Sequence, residues 1–219
     1  MKPTENLKLK VCGLTQLTQI QELISLNTDF LGFIFYEKSP RFVLNNLNLE
    51  GISEINHQGK VGVFVNESIE KIAEITEKAK LSFIQLHGDE DEKFILQLRQ
   101  ILGNIIKIIK VIRIGNQSFD ELQKTINQQP STVNYLLFDT DSKAFGGTGK
   151  TFDWQILNEI EIPIPYFLSG GISLENIHQL STINHQPLAL DINSKFEIEP
   201  GNKNLEKIKK FTQIVNKIY

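Results

Sequence analysis

The chain has 219 residues, 40% hydrophobic and 22% charged, which suits a folded globular protein and argues against disorder. A net charge of −3 offers no basic field for nucleic acid or an anionic membrane, and a single cysteine cannot close an internal disulfide. Polar residues fill the start before any apolar run, no stretch nears the ~20 apolar residues of a membrane span, and no Cys/His cluster has zinc spacing. The expectation is a cytoplasmic protein with one core and no leader.

Short, nearly continuous apolar runs alternate with longer amphipathic ones. The short runs are 9–11, 30–35, 61–65, 82–86, 107–112, 135–138, 166–168 and 188–192, as expected for parallel strands buried on both faces. Between them, sets such as Ile69, Ile72, Ala73, Thr76 and Phe94, Ile95, Leu98, Ile101, Leu102 follow the helical period. Thr15, Ser68 and Ser118 stand where N-caps are needed. The segment after Arg41 is the weakest helix, because Asn45, Asn46, Asn48 and Gly51 interrupt it. Eight strand–helix units share the chain at about 27 residues each, near the lower limit for a (β/α)8 barrel. An open doubly wound sheet would carry a Gly-rich fingerprint after its first strand, where Cys12-Gly13-Leu14-Thr15 stands instead. The sequence therefore predicts a single-domain (β/α)8 barrel over residues 1–219.

Chemistry in such a barrel gathers at the C-terminal strand ends. Those positions hold Cys12, Arg41, Asn66, His87, Arg113, Asp139, Gly170-Gly171 and Asp191-Ile192-Asn193-Ser194. Cys12 reads either as a packed, inert thiol or as a base, and Lys10, two residues back on the same strand face, would favour its thiolate. Asp139 reads as a loop cap or as a general acid whose pKa a closed pocket would raise. His87 ends strand four and reads equally as a loop histidine bonded to backbone or as a substrate contact, and Arg41 as a solvated cation or a carboxylate ligand. Ala144-Phe145-Gly146-Gly147-Thr148-Gly149-Lys150-Thr151 ends like a phosphate-binding loop, but Ala144 stands where that motif needs glycine. A glycine-rich lid over 146–149 fits better. The Gly170-Gly171 turn and Asn193-Ser194 lie at the usual phosphate position of these barrels. Trp154 is expected to pack the start of helix six.

In order along the chain, Lys10-Val11-Cys12-Gly13, Ser39-Pro40-Arg41, Gln85-Leu86-His87-Gly88, Phe138-Asp139-Thr140, Gly146-Gly147-Thr148-Gly149-Lys150-Thr151-Phe152-Asp153-Trp154 and Ser169-Gly170-Gly171 resemble the phosphoribosylanthranilate isomerase family. The resemblance implies a (β/α)8 fold and an Amadori rearrangement in tryptophan biosynthesis, without metal or organic cofactor. It implies Cys12 as general base, Asp139 as general acid, Arg41 on the anthranilate carboxylate, Gly170 and Gly171 at the phosphate, and Asp191 as the strand-eight acid. The partner it implies is a small phosphosugar, with no nucleic acid or membrane, in a monomer or a homodimer. One departure follows strand eight. Many family members carry a Ser-Ser-Gly-Val-Glu-like run there, whereas this chain reads Asn193-Ser194-Lys195-Phe196-Glu197. Losing that glycine would alter backbone binding of phosphate, and Lys195 is expected to supply a compensating charge.

Overall fold

The computed structural model describes residues 7–141 and 151–218. The proposed lid at 146–149 lies outside the described residues.

Eight parallel strands close into a barrel in sequence order: β1 Lys8–Val11, β2 Phe30–Ile34, β3 Lys60–Phe64, β4 Phe83–Leu86, β5 Lys107–Ile114, β6 Tyr135–Thr140, β7 Tyr166–Leu168 and β8 Ala189–Ile192. β8 pairs with β1, so the seam joins residues about as far apart in sequence as the chain permits. Five helices cross between the early strands: α1 Leu17–Ser25, α2 Leu49–Glu54, α3 Ile69–Lys78, α4 Glu92–Leu102 and α5 Phe119–Asn127. The final helix, α6 Leu205–Ile218, follows a short antiparallel hairpin of β9 Glu197–Glu199 and β10 Asn202–Lys203.

Local chemistry accounts for most of these boundaries. Ser68 accepts from Lys71 N at the start of α3, Asp91 caps α4, and Ser118 with Glu121 forms a reciprocal capping box on α5. Gly103, at φ 66°, ends α4. The short α2 relies on Asn48 for its N-cap, and the Lys60 ammonium donates to the Ile52 and Ser53 carbonyls near its other end. Thr15 does not cap α1. Its hydroxyl donates to Gly201 O instead, and Gln16 occupies the cap position without a side-chain bond.

Helices six and seven differ from expectation: the crossovers after β6 and β7 are 3-10 segments, Trp154–Asn158 and Ile177–Thr182. Both segments are only a turn or two long, the length at which 3-10 geometry is used, and Pro163 and Pro187 bias the residues just before them away from helix. Trp154 is buried as expected, at the start of the first of these segments.

The interior face of the barrel changes character along its axis. Residues paired across parallel strands share a face. Phe30, Val61, Ile109, Val111, Leu137, Phe167 and Ala189 form one inner apolar cluster, with Phe83 and Tyr135 packed against it. Phe30 meets Phe83 edge-on at 5.2 Å and Phe167 at 5.1 Å, filling the lower barrel with rings. One or two steps further along the same strands the inward positions become Lys10, Gln85, Arg113, Asp139 and Asp191. The outward residues of these strands pack beneath the helices in the larger core.

Candidate active site

Cys12 stands directly after β1, and β2 makes room for it with a glycine: a Cβ on Gly32 would lie 2.9 Å from both the Cys12 Cα and its Sγ. The Lys10 ammonium lies on the same face. It donates to Asp191 Oδ2 at 2.9 Å, lies near enough to the Cys12 sulfur for the two to shift each other's pKa, and is fully buried. Burial alone would depress Lys10, but Asp191 and the sulfur carry it above its ordinary value, so this ammonium stays charged.

The expected thiolate is not the resting form. Burial pushes the Cys12 thiol up; Lys10 and Lys203 pull it back, Asp191 opposes them, and the balance stays above the ordinary thiol value. The direction of the Lys10 effect inferred from sequence was right, but desolvation outweighs it.

Across the barrel, Asp139 occupies the inward position near the end of β6. Its Oδ1 accepts from Thr140 N at 2.8 Å, Oδ2 lies 3.4 Å from His87 Nε2, and the Ser169 hydroxyl also bonds the carboxyl. Burial, reinforced by the Asp191 charge, raises its pKa to about 7. His87 is not bonded to backbone through its ring. Its Nδ1 sits 3.1 Å from Gln85 Nε2, and burial, with Lys10, Arg113 and Lys110 nearby, lowers its pKa to about 3, so the ring is neutral. Lys10 and Asp191 act on Cys12 and on Asp139 alike, which puts thiol and carboxyl around one charged cluster.

Gly170 and Gly171 have φ of 84° and 67°, and a Cβ on Gly170 would meet Thr140 Oγ1 at 2.5 Å and Asp139 Oδ1 at 3.2 Å. Only glycine allows that turn to lie so close to the carboxyl. Asn193 and Ser194 follow on the neighbouring strand, Ser194 opening a three-residue 3-10 turn. Asp191 Oδ1 is buried and has no hydrogen-bond partner.

Arg41 is neither solvated nor unoccupied. It is buried, and its Nε and Nη2 bond the Glu197 carboxylate. Lys203, also buried, donates to Glu197 Oε1 at 2.7 Å and to Asn193 Oδ1 at 2.8 Å. Lys195, the expected compensating cation, is exposed, and its carbonyl accepts from Lys207. The buried cation beside the strand-eight loop is Lys203. Sequence reasoning missed Lys203 and gave Glu197 no role; the glutamate closing the run after strand eight was the one available signal. Among the described residues, no group of three or more His, Cys, Asp or Glu could hold a metal ion, and no helix is long and apolar enough to cross a membrane.

A closed barrel that gathers a carboxyl of raised pKa and a buried thiol around one charged cluster has the groups acid–base chemistry needs, and the class is that of a (β/α)8 isomerase. Comparison with known proteins narrows this. The model of the N-(5'-phosphoribosyl)anthranilate (PRA) isomerase family matches residues 9–214. The N-(5'-phosphoribosyl)anthranilate isomerase of Parabacteroides distasonis is 38% identical over 94% of this chain and 91% of its own length. The crystal structure of phosphoribosyl anthranilate isomerase from Thermotoga maritima superposes with a TM-score of 0.77 at 30% identity, covering 96% of this chain and 98% of that one. A crystal structure of phosphoribosyl anthranilate isomerase in complex with reduced 1-(o-carboxyphenylamino)-1-deoxyribulose 5-phosphate gives 0.73 at 27% identity, with 96% of this chain and 98% of that one covered. The chain belongs to the N-(5'-phosphoribosyl)anthranilate isomerase family.

Proposed function

We propose that this chain, acting as one catalytic domain over residues 1–219, isomerises N-(5-phosphoribosyl)anthranilate to 1-(2-carboxyphenylamino)-1-deoxyribulose 5-phosphate. The observation that carries the reading is Asp139: a buried carboxyl with a pKa of about 7 can donate a proton near neutral pH, and it shares its charged surroundings with Cys12. Asp139 protonates the furanose ring oxygen as the C1–O bond opens to a Schiff base. Cys12, as thiolate, removes the proton from C2, and the enolamine tautomerises to the ketone. Burial opposes that thiolate. Lys10 and Lys203 favour it, and the cationic Schiff base supplies further stabilisation when substrate is bound.

The remaining residues hold the substrate. Gly170, Gly171, Asn193 and Ser194 take the phosphate through backbone N–H groups at two adjacent strand ends. Arg41 takes the anthranilate carboxylate. Asp191, with one oxygen lacking a partner, accepts from a sugar hydroxyl, while neutral His87 stands beside the acid and contacts the sugar. Every catalytic and binding residue comes from one chain, so the chemistry is compatible with a monomer or a homodimer; monomers generated from the dimeric phosphoribosylanthranilate isomerase of Thermotoga maritima share this fold. A site that depends on a free thiol suits the reducing cytoplasm. The decisive experiment is a fluorescence assay of phosphoribosylanthranilate loss with the purified chain beside Cys12→Ala and Asp139→Asn. Turnover by the parent and near-loss in both variants supports the reading; an inactive parent, or variants with unchanged kcat, overturns it.

A further inference from the structure

The Arg41–Glu197 contact uses the guanidinium unevenly. Glu197, at the start of β9, keeps its carboxylate buried and accepts five hydrogen bonds: two from Arg41 Nε at 3.0 and 2.9 Å, one from Arg41 Nη2 at 2.7 Å, one from Lys203 Nζ at 2.7 Å and one from Gly201 N at 3.1 Å. The Nε–Nη2 edge of Arg41 is thereby taken, and among the described residues Nη1 has no partner. The stem is fixed as well. Arg41 N donates to Ser39 Oγ, and the Cδ lies so close to the Gly13 backbone that a Cβ there would stand 2.7 Å from it. Charge points the same way. Two cations, Arg41 and Lys203, face one carboxylate, and Lys203 ties the group to Asn193 at the end of β8. The cluster keeps one guanidinium edge without a partner among the described residues, the complement of a single further carboxylate.

We propose that Glu197 is a positioning residue that sets selectivity for an arylamine bearing an ortho-carboxylate, by fixing Arg41 so that only its Nη1 edge meets the substrate. The inference rests on the assignment of Arg41 made above. Glu197 itself touches no substrate. Its loss would free the guanidinium to rotate, so the cost would fall on binding of the carboxylate and spare the proton transfers at C1 and C2.

The test compares the parent chain, Glu197→Gln and Glu197→Asp on two substrates, N-(5-phosphoribosyl)anthranilate and the aniline analogue that lacks the carboxylate. Glu197→Gln is expected to raise KM for the carboxylated substrate about tenfold, with kcat and the kcat/KM for the analogue held within about threefold. Glu197→Asp, which keeps the charge, is expected to recover part of that loss and provides the reading if the amide variant fails to fold. Equal losses on both substrates, or an unchanged KM, would overturn the proposal. A parent that does not distinguish the two substrates would overturn the role of Arg41. A parent that turns over neither would overturn the reading of the reaction itself.

Discussion

The two sides of the barrel mouth handle a buried proton differently. Around Cys12, at the β1–β8 seam, acidic and basic side chains come in buried pairs: Lys10 with Asp191, and Lys203 with Glu197, while burial pushes Asp191 up and Lys203 down. Around Asp139, across β4 and β6, the His87 ring at 3.4 Å is neutral, and the charges that act on the carboxyl, Asp191 and Lys10, belong to the seam. Both groups are buried and both are pushed up. On the carboxyl side burial and Asp191 outweigh the Thr140 N–H, Lys10 and Ser169, which leaves a pKa of about 7; on the thiol side burial and Asp191 outweigh Lys10 and Lys203, which leaves the thiol above its ordinary value. Burial thus raises both groups, and the different charges set beside each fit the roles proposed for them, acid at Asp139 and base at Cys12.

The strongest way to break this contrast is to remove each group. Cys12→Ala and Asp139→Asn should each lower kcat by about 10²–10⁴-fold, and a double variant no worse than either single would show that the two act as a unit. Next in size, Lys10→Met strands Asp191 as an unpaired buried charge, which should cost about 3–5 kcal/mol in urea unfolding. A loss under about 1 kcal/mol would mean that the seam does not depend on this pair.

Asp139 makes the opposite stability prediction. Folding raises its pKa, so the stabilisation from its bound proton is complete below the ordinary carboxylate pKa and is lost as pH rises through about 7. At pH near 8, Asp139→Asn should therefore be more stable than the parent by about 2 kcal/mol, or roughly 5 °C in melting temperature, and the gain should vanish in acid.

The pH–rate profile sharpens the comparison further. With the carboxyl titrating near 7 and the thiol higher, the loss of acid above 7 is balanced by the gain of thiolate. kcat/KM should be level from about pH 7 to the thiol pKa and fall about tenfold per unit below 7. A rate that fell as pH rose through 7 would mean that Lys10 and Lys203 overcome burial at the sulfur. The smallest expected effect belongs to exposed Lys195: replacement by alanine should leave KM within about twofold and stability within about 0.5 kcal/mol.

Much of this was legible in the sequence, and the rest was hidden for identifiable reasons. The eight apolar runs became the eight strands, although β5 and β6 run on to Ile114 and Thr140, past the ends read from apolar character alone, because strand pairing continues where the inward residues turn polar. Cys12, His87, Asp139 and Asp191 could be picked out because strand ends converge in a closed barrel, and that needs only topology. The net direction at Cys12 could not, since it depends on how completely water is removed. Lys203 was invisible for another reason: β9 and β10 lie outside the strand–helix alternation, and nothing in the spacing announces that this hairpin folds back onto the mouth. The 3-10 segments Trp154–Asn158 and Ile177–Thr182 show the limit of periodicity, since the apolar spacing of so short a stretch does not separate 3-10 from α geometry.

The Lys10–Asp191 bond spans 181 positions and lies on the seam where the final barrel strand meets the first. A chain with its first seven strands in register and the eighth undocked would lack this ion pair beside its sulfur. Catalytic competence is therefore withheld until closure, and the onset of turnover during refolding would time the docking of the last strand.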